Sequence, residues 1–216
     1  LVGSEMCIRD SRALDQFTEG GGFGIFLPSE RYLGLFDDTD ERFDASVRTK
    51  FYDKNGNLLT SAADPEYIAP HCKKYEDYDR VMDAGASSKN IYFIRYADLI
   101  LLYAECLLAE NDLAGAKQQV IRVRNRAKVS TPITASNNTE MLDFIYEERM
   151  RELGMEGWRR MDLIRRGADY FAAQVDKYNP FAKGNVQPYH AFYPIPTNEI
   201  NMNDGIGAED QNEGYK

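Results

Sequence analysis

From residue 91 the apolar positions recur with the 3.6-residue period of an amphipathic helix, and that period persists to Gly167. In IYFIRYADLILLYAECLLAEN the residues Tyr92, Tyr96, Leu99, Tyr103, Cys106 and Leu107 fall on one broad face, with Ile100 and Ala104 alongside. Asn111-Asp112 ends this helix, and the Asp112 carboxylate is placed to cap the next by accepting its free amides. That second helix carries a stripe of Leu113, Ala116, Val120, Val123 and Ala127, flanked by Arg122, Arg124 and Arg126. Two amphipathic helices joined by so short a turn are expected to pack antiparallel. A second pair follows. Asn137-Asn138-Thr139-Glu140 has capping-box spacing, and MLDFIYEERMRELG buries Leu142, Ile145 and Leu153 before Gly154. GWRRMDLIRRG carries Trp158, Met161 and Leu163 and stops at Gly167, with Trp158 expected to be buried between hairpins. Small residues at Ala104, Ala114, Gly115 and Ala116 allow close helix approach. Two helix–turn–helix units of similar size suggest tetratricopeptide-type stacking, although their sequences diverge.

The flanks read differently. The opening LVGSEMCIRDS has neither the basic start nor the apolar run of a signal segment, and is expected to be a non-native leader over residues 1–11. Residues 12–90 read as loop with one hairpin: strands at 46–52 and 57–61 about a turn at Asn55-Gly56, where both residues tolerate positive φ. Gly20 to Gly24, GGGFG, reads as a surface loop, because the glycine spacing and Lys-Ser/Thr of a phosphate loop are missing. Residues 168–216 read as aromatic-rich coil, interrupted by Pro180, Pro188, Pro194 and Pro196. Within it Phe181, Phe192 and Tyr193 are expected to pack against the helices. Tyr178 and Tyr189 are the more open rings, suited to stacking on a flat ligand such as a sugar.

Charge sharpens this division. The 216 residues carry 26 basic and 35 acidic side chains, a net charge of −9. The helical block 91–174 holds twelve of each sign between two acidic flanks. An acidic chain is a poor general nucleic-acid binder. Three cysteines, at 7, 72 and 106, form no CxxC, and two histidines far apart in sequence give no His-rich metal site. Asp37, Asp38 and Asp40 superficially suggest calcium, but the EF-hand order is absent.

Candidate chemistry gathers in the helical block. Glu148 and Glu152 share a helical face, and two adjacent carboxylates could act as acid and base. Their neighbours, Arg149, Arg151, Arg159 and Arg160, would depress the pKa that a general acid needs raised. The expected role of Glu148, Arg149, Glu152 and Arg159 is therefore an interhelical ion-pair network. Arg122, Arg124, Arg126 and Lys128 could hold a phosphate, but their neutral surroundings favour a solvated face. No HExxH or GxSxG occurs.

Five blocks in order, FIRYADLILLYAE (93–105), VRNRA (123–127), IYEERMRELGMEGWRRMDLIRRG (145–167), YPIPTNEI (193–200) and QNEGY (211–215), closely resemble the C-terminal half of the SusD/RagB family. Agreement is weaker over about 25–90, notably at Asp40-Glu41-Arg42. The resemblance implies a mainly α protein of tetratricopeptide-type helix hairpins, with extensive irregular loops and a small β-hairpin. Its helical core would be 91–167, with 168–216 as coil and tail of the same domain. It further implies a surface-exposed outer-membrane lipoprotein, anchored by an N-terminal lipid, that captures a glycan or other nutrient for a TonB-dependent transporter of the SusC kind. Neither a catalytic centre nor a cofactor is implied. Arg95, Tyr96, Asp98 and Glu105 match the first block, Arg124 and Arg126 the second, and Glu148, Arg149, Glu152, Arg159 and Asp162 the third, all as scaffold. Trp158 stands where the family often has His, Arg166 where it often has Trp, and Glu213 replaces a usual Pro. Two other readings stand beside nutrient capture: a glycan-active enzyme using paired carboxylates, and a helical-repeat adaptor for another protein.

Overall fold

The computed structural model describes residues 27–52, 55, 57–58, 69–75 and 90–216, and the chain divides into two compact units, Leu1–Trp158 and Arg159–Lys216. Both are mainly helical, as the resemblance implies. The leader and the GGGFG segment lie outside the described residues.

In the first unit, short helices α1 (Glu30–Leu33) and α2 (Arg42–Ser46) precede strands β1 (Val47–Arg48) and β2 (His71–Cys72). The long helices α3 (Tyr96–Ala109), α4 (Leu113–Arg126) and α5 (Asn138–Leu153) follow. β1 pairs antiparallel with β2, Val47 opposite Cys72, rather than with the segment after the Asn55-Gly56 turn. An isolated antiparallel bridge from Tyr52 to Leu58 spans that turn, so the expected hairpin is present only as this contact among the described residues.

Helix starts follow local chemistry. Asp112 accepts from the Gly115 amide at 2.8 Å, and Asn137 accepts from the Glu140 amide at 2.9 Å. A Cβ on Gly115 would stand 2.2 Å from the Asp112 carboxylate, which explains a glycine inside a helix's first turn. The stripe expected on α4 is the observed one: Ala116, Val120 and Val123 are buried, with Leu113 packed against them and Ala127 buried just beyond the helix. They meet Leu101, Ala104, Leu107 and Leu108 of α3 and Met141 and Ile145 of α5 in one core.

On α3 the expected face is buried only in part, at Leu107 and Ala104. Tyr92, Tyr96, Leu99, Tyr103 and Cys106 are exposed, while Asp98, Leu101, Ala104 and Leu108 point inward. Apolar residues occupy both sides of this helix, so periodicity alone does not select one. Trp158 is only partly buried, its ring edge-on to the exposed Phe93 at 6.3 Å.

The second unit comprises α6 (Arg159–Arg165), α7 (Ala168–Tyr178), a 3₁₀ turn (Pro188–Ala191) and α8 (Thr197–Met202). Residues 168–178 are therefore helix and not coil. Gly167, at φ 108°, separates α6 from α7, and no proline falls before Pro180, so nothing opposes a new helix there. Leu163, Phe171 and Ala191 form the centre of this unit, with Ile164, Val175 and Val186 around them.

Candidate functional site

Three features could carry function: a buried ion-pair network, a cavity beside it, and aromatic surfaces that solvent reaches. The network continues the buried face of α5 beyond the apolar core, with Glu148 and Glu152 following Met141 and Ile145 at helical spacing. Glu148 accepts from Arg42 Nη1 at 2.7 Å, Arg151 Nη1 at 3.0 Å and Arg124 Nη1 at 3.3 Å. Glu152 accepts from Arg126 Nη2 at 2.6 Å, Arg95 Nη1 at 2.9 Å and Arg42 Nη1 at 3.2 Å. Arg42 also grips Asp40 through two parallel bonds of 2.8 and 2.7 Å, and Arg95 grips Glu156 in the same way at 2.9 and 2.7 Å. Lys74 pairs with Glu156 as well. Next to Glu148 on α5, Arg149 bonds buried Asp98 of α3 at 2.6 Å and approaches Glu105 at 3.9 Å.

This is the structural network that the charge pattern suggests, with different partners. Arg42, the first residue of α2, and Asp40 just before that helix lie at its centre. Arg124 is buried in it, against the expectation of a solvated basic face, whereas Arg126 bonds Glu152 from a side chain that stays 60% exposed. Arg159 instead begins the second unit, where Asp162 is buried and Arg165 bonds it at 3.3 Å. No spacing rule pairs residues 42 and 148. The available signal was the Asp40-Glu41-Arg42 triplet itself, an arginine within two residues of a carboxylate that can hold it from both sides.

Burial by itself raises the pKa of Glu152, yet Arg126, Arg95 and Arg42 together hold its carboxyl below the ordinary range. Burial likewise lowers Arg42, but Asp40 and Glu148 outweigh it and hold the guanidinium above its usual value. A carboxylate depressed in the folded state stabilises the fold above its unfolded pKa, and that contribution disappears as pH falls through the folded value. Stability is therefore expected to be flat from pH 7 to about 5 and to fall below about 4.3, the unfolded Glu value. Melting temperatures across pH 3–7 check this, and Glu152→Gln should make the acid slope shallower.

The cavity, about 270 Å³, opens beside the network between Phe36, Asp37, Arg124, Thr131, Phe144 and Arg151. Its size is close to that of a small-ligand site. Its polar side chains are already engaged. Asp37 accepts from Thr39 at 2.7 Å and from Thr131 at 2.7 Å, and Arg124 donates to both oxygens of Thr131 at 2.6 Å. Both guanidinium groups also cover Phe144, at 5.3 and 5.7 Å from the ring centre. These contacts join the loop 34–40 to the helices. They also account for Asp37 and Asp40, the carboxylates that suggested a cation.

In the second unit the C-terminal tail fixes an aromatic edge. The Gln211 side chain accepts from the Ile195 amide at 2.8 Å and donates to the Ile195 carbonyl at 3.0 Å, in the manner of a neighbouring strand. Asn212 Nδ2 donates to the Tyr193 carbonyl at 2.6 Å, and the Tyr215 hydroxyl donates to the Phe192 carbonyl at 3.1 Å. Arg160 donates to the carbonyls of His190 and Ala191, and its guanidinium lies 5.0 Å from the Phe171 ring centre and 4.3 Å from that of Tyr193. Tyr193 nevertheless remains 71% exposed, with Phe192 and Phe181 exposed as well. Packing was the expected role of these three rings, and the structure reverses it.

Tyr189 and Tyr178 are both half-buried. Lys177 Nζ lies over the Tyr178 ring at 4.9 Å. The Tyr189 ring lies tilted against that of His190, centroids 4.2 Å apart, and meets Tyr215 edge-on at 5.2 Å. A Cβ on Gly214 would fall 2.2 Å from the Tyr189 ring, and Gly214 has φ 87°. Gly214→Ala is therefore expected to detach the tail locally, at a cost of about 1–3 kcal/mol. Hydrogen exchange at 211–215 should accelerate while the first unit is unchanged. Unaltered exchange would show that Tyr189 does not hold the tail.

A model of the SusD family matches residues 28–215. The chain is 34% identical over 202 residues to the SusD-like protein P25 of Formosa agariphila, covering 90% of this chain and 36% of that protein. It is 32% identical over 142 residues to the starch-binding protein SusD of Bacteroides thetaiotaomicron, covering 63% of this chain and 23% of that one. The chain thus spans about a third or less of these relatives' length. Among solved structures, the surface glycan-binding protein A from Bacteroides fluxus superposes with a TM-score of 0.66 at 25% identity, over 91% of this chain and 42% of the other.

Proposed function

Because this chain belongs to the SusD family, we propose that it contributes to capture of a glycan at the cell surface, binding it without cleavage and delivering it to a TonB-dependent outer-membrane transporter of the SusC kind. Two similar proteins, a starch-binding protein and a surface glycan-binding protein, are named for carbohydrate recognition. The observation that carries the reading here is the Tyr193 edge. Its backbone is held by Gln211, Asn212 and Tyr215, and its ring is held by Arg160, so an exposed aromatic face is fixed in place before any ligand arrives. Sugars present flat C–H faces to such rings, and a preorganised platform avoids the entropy of ordering one. The carboxylates that could have served glycoside chemistry, Glu148 and Glu152, are instead surrounded by arginines in a buried network. Among the described residues no helix is long and apolar enough to cross a membrane, and in this proposal attachment rests on an N-terminal lipid.

Calorimetry against a panel of oligosaccharides, with chromatography of the recovered ligand, tests the reading. The expected result is reversible binding of intact sugar, weakened about 3- to 10-fold by Tyr193→Ala with the melting temperature unchanged. Cleaved products would favour an enzyme, and binding confined to a partner protein would favour an adaptor. Undiminished affinity in Tyr193→Ala would move the site away from this edge.

A further inference from the structure

Arg160, beside the Tyr193 ring, is half-buried and has no carboxylate partner among the described residues. The arginines at the centre of the first unit's network are each paired: Arg42 with Asp40 and Glu148, Arg95 with Glu156, Arg124 with Glu148, and Arg149 with Asp98. On α6 itself, Arg165 bonds Asp162. Arg160 instead donates from Nη2 alone, to the carbonyls of His190 and Ala191 at 2.8 and 3.1 Å. A guanidinium also carries donors on Nε and Nη1, and these have no bonded acceptor among the described residues. The rings of Phe171 and Tyr193, at 5.0 and 4.3 Å, offset part of the positive charge. They supply no counter-charge. A cation held partly out of water is stabilised by an anion that reaches it.

We infer that the Tyr193 edge selects an acidic glycan, one bearing carboxylate or sulfate groups, and that Arg160 is the residue that recognises the charge. This rests on the proposed role of Tyr193 as a sugar platform. One sugar ring stacks on Tyr193, and the acid group of that ring or of its neighbour turns past the ring edge to the guanidinium. Arginine suits the task, because its bonds to an oxyanion are charge-assisted and roughly twice as strong as those between neutral groups. Two carbonyls and two rings fix its position before a ligand arrives. The surroundings do not oppose an anion. Residues 187–195 contain no acidic side chain. The second unit holds seven basic and eight acidic residues, so the net charge of −9 lies almost wholly in the first unit. In the tail that braces the edge, Glu213 is exposed and forms no ion pair with Arg160.

Calorimetry on this chain with two matched pairs tests the inference: oligogalacturonate against its methyl ester, and a sulfated carrageenan oligosaccharide against its desulfated form. At least one charged member is expected to bind about tenfold more tightly than its neutral counterpart, an advantage that shrinks as salt is raised. Arg160→Gln should cut that preference to about twofold or less, and Arg160→Lys, which keeps the charge, should retain more of it. Tyr193→Ala should weaken both members of a pair alike. Equal affinity within each pair would overturn the charge selection and leave the Tyr193 platform standing. An undiminished preference in Arg160→Gln would overturn it too, by assigning the charge to another residue. Binding of none of the four would also overturn it, while neutral sugars of the wider panel would still decide the platform. Independently of any variant's folding, the Arg160 Nε resonance of the unaltered chain should shift on titration with glucuronate and not with glucose. An equal response to both, or a response to neither, would equally overturn the assignment.

Discussion

Glu148→Gln is expected to lower the unfolding free energy by about 3–5 kcal/mol, because it leaves buried positive charge without its counter-charge. Glu148 is buried and bonded to Arg42, Arg124 and Arg151, which come from three separate segments of the first unit. The amide keeps the shape and one acceptor oxygen, so the loss is electrostatic and not a cavity. Arg42 would keep Asp40 and Glu152, which limits the damage at its end. Urea unfolding measures the loss, and glycan affinity corrected for the folded fraction should be unchanged. A collapse of affinity at constant melting temperature would instead place Glu148 in a binding site and sink the scaffold assignment.

Arg149→Met should cost a similar amount, about 3–5 kcal/mol, for the same reason at a second site. Arg149 and Asp98 are both buried, and their 2.6 Å bond ties α5 to the first turn of α3. Methionine fills much of the space but strands the Asp98 carboxylate. Adding Asp98→Asn removes that stranded charge, so the double variant should lose less than the two single losses combined, by about 1–3 kcal/mol. Additive losses in a thermodynamic cycle would mean that the two side chains do not act as a pair.

Much of the helical scaffold was legible because its determinants are local. The α4 stripe, the Asp112 and Asn137 caps and the stops at Gly154 and Gly167 each rest on residues within one or two turns of one another. The ion pairing of the charged block was legible because so many arginines stand close to Glu148 and Glu152 in the sequence. Its members were not all legible, because Arg42 and Glu148 are 106 residues apart and side-chain geometry alone joins them. Trp158 was expected inside, meeting Leu153 and Leu163, yet it is only partly buried at the last residue of the first unit, with Phe93 against its ring edge.

The sequence by itself determined the long helices between residues 96 and 153, two of their caps and the family, since periodicity, capping and block order are properties of neighbours along the chain. Tertiary structure decided which side of α3 turns inward, because both sides are apolar and only the positions of α4 and α5 choose between them. It decided which aromatic rings remain open. Tyr189 is engaged by the glycine and tyrosine of the tail, whereas Tyr193 is held by Arg160 and left facing water. Side-chain chemistry is identical in those two tyrosines. What separates them is the path of a backbone that returns some twenty residues later to cover one ring and brace the other.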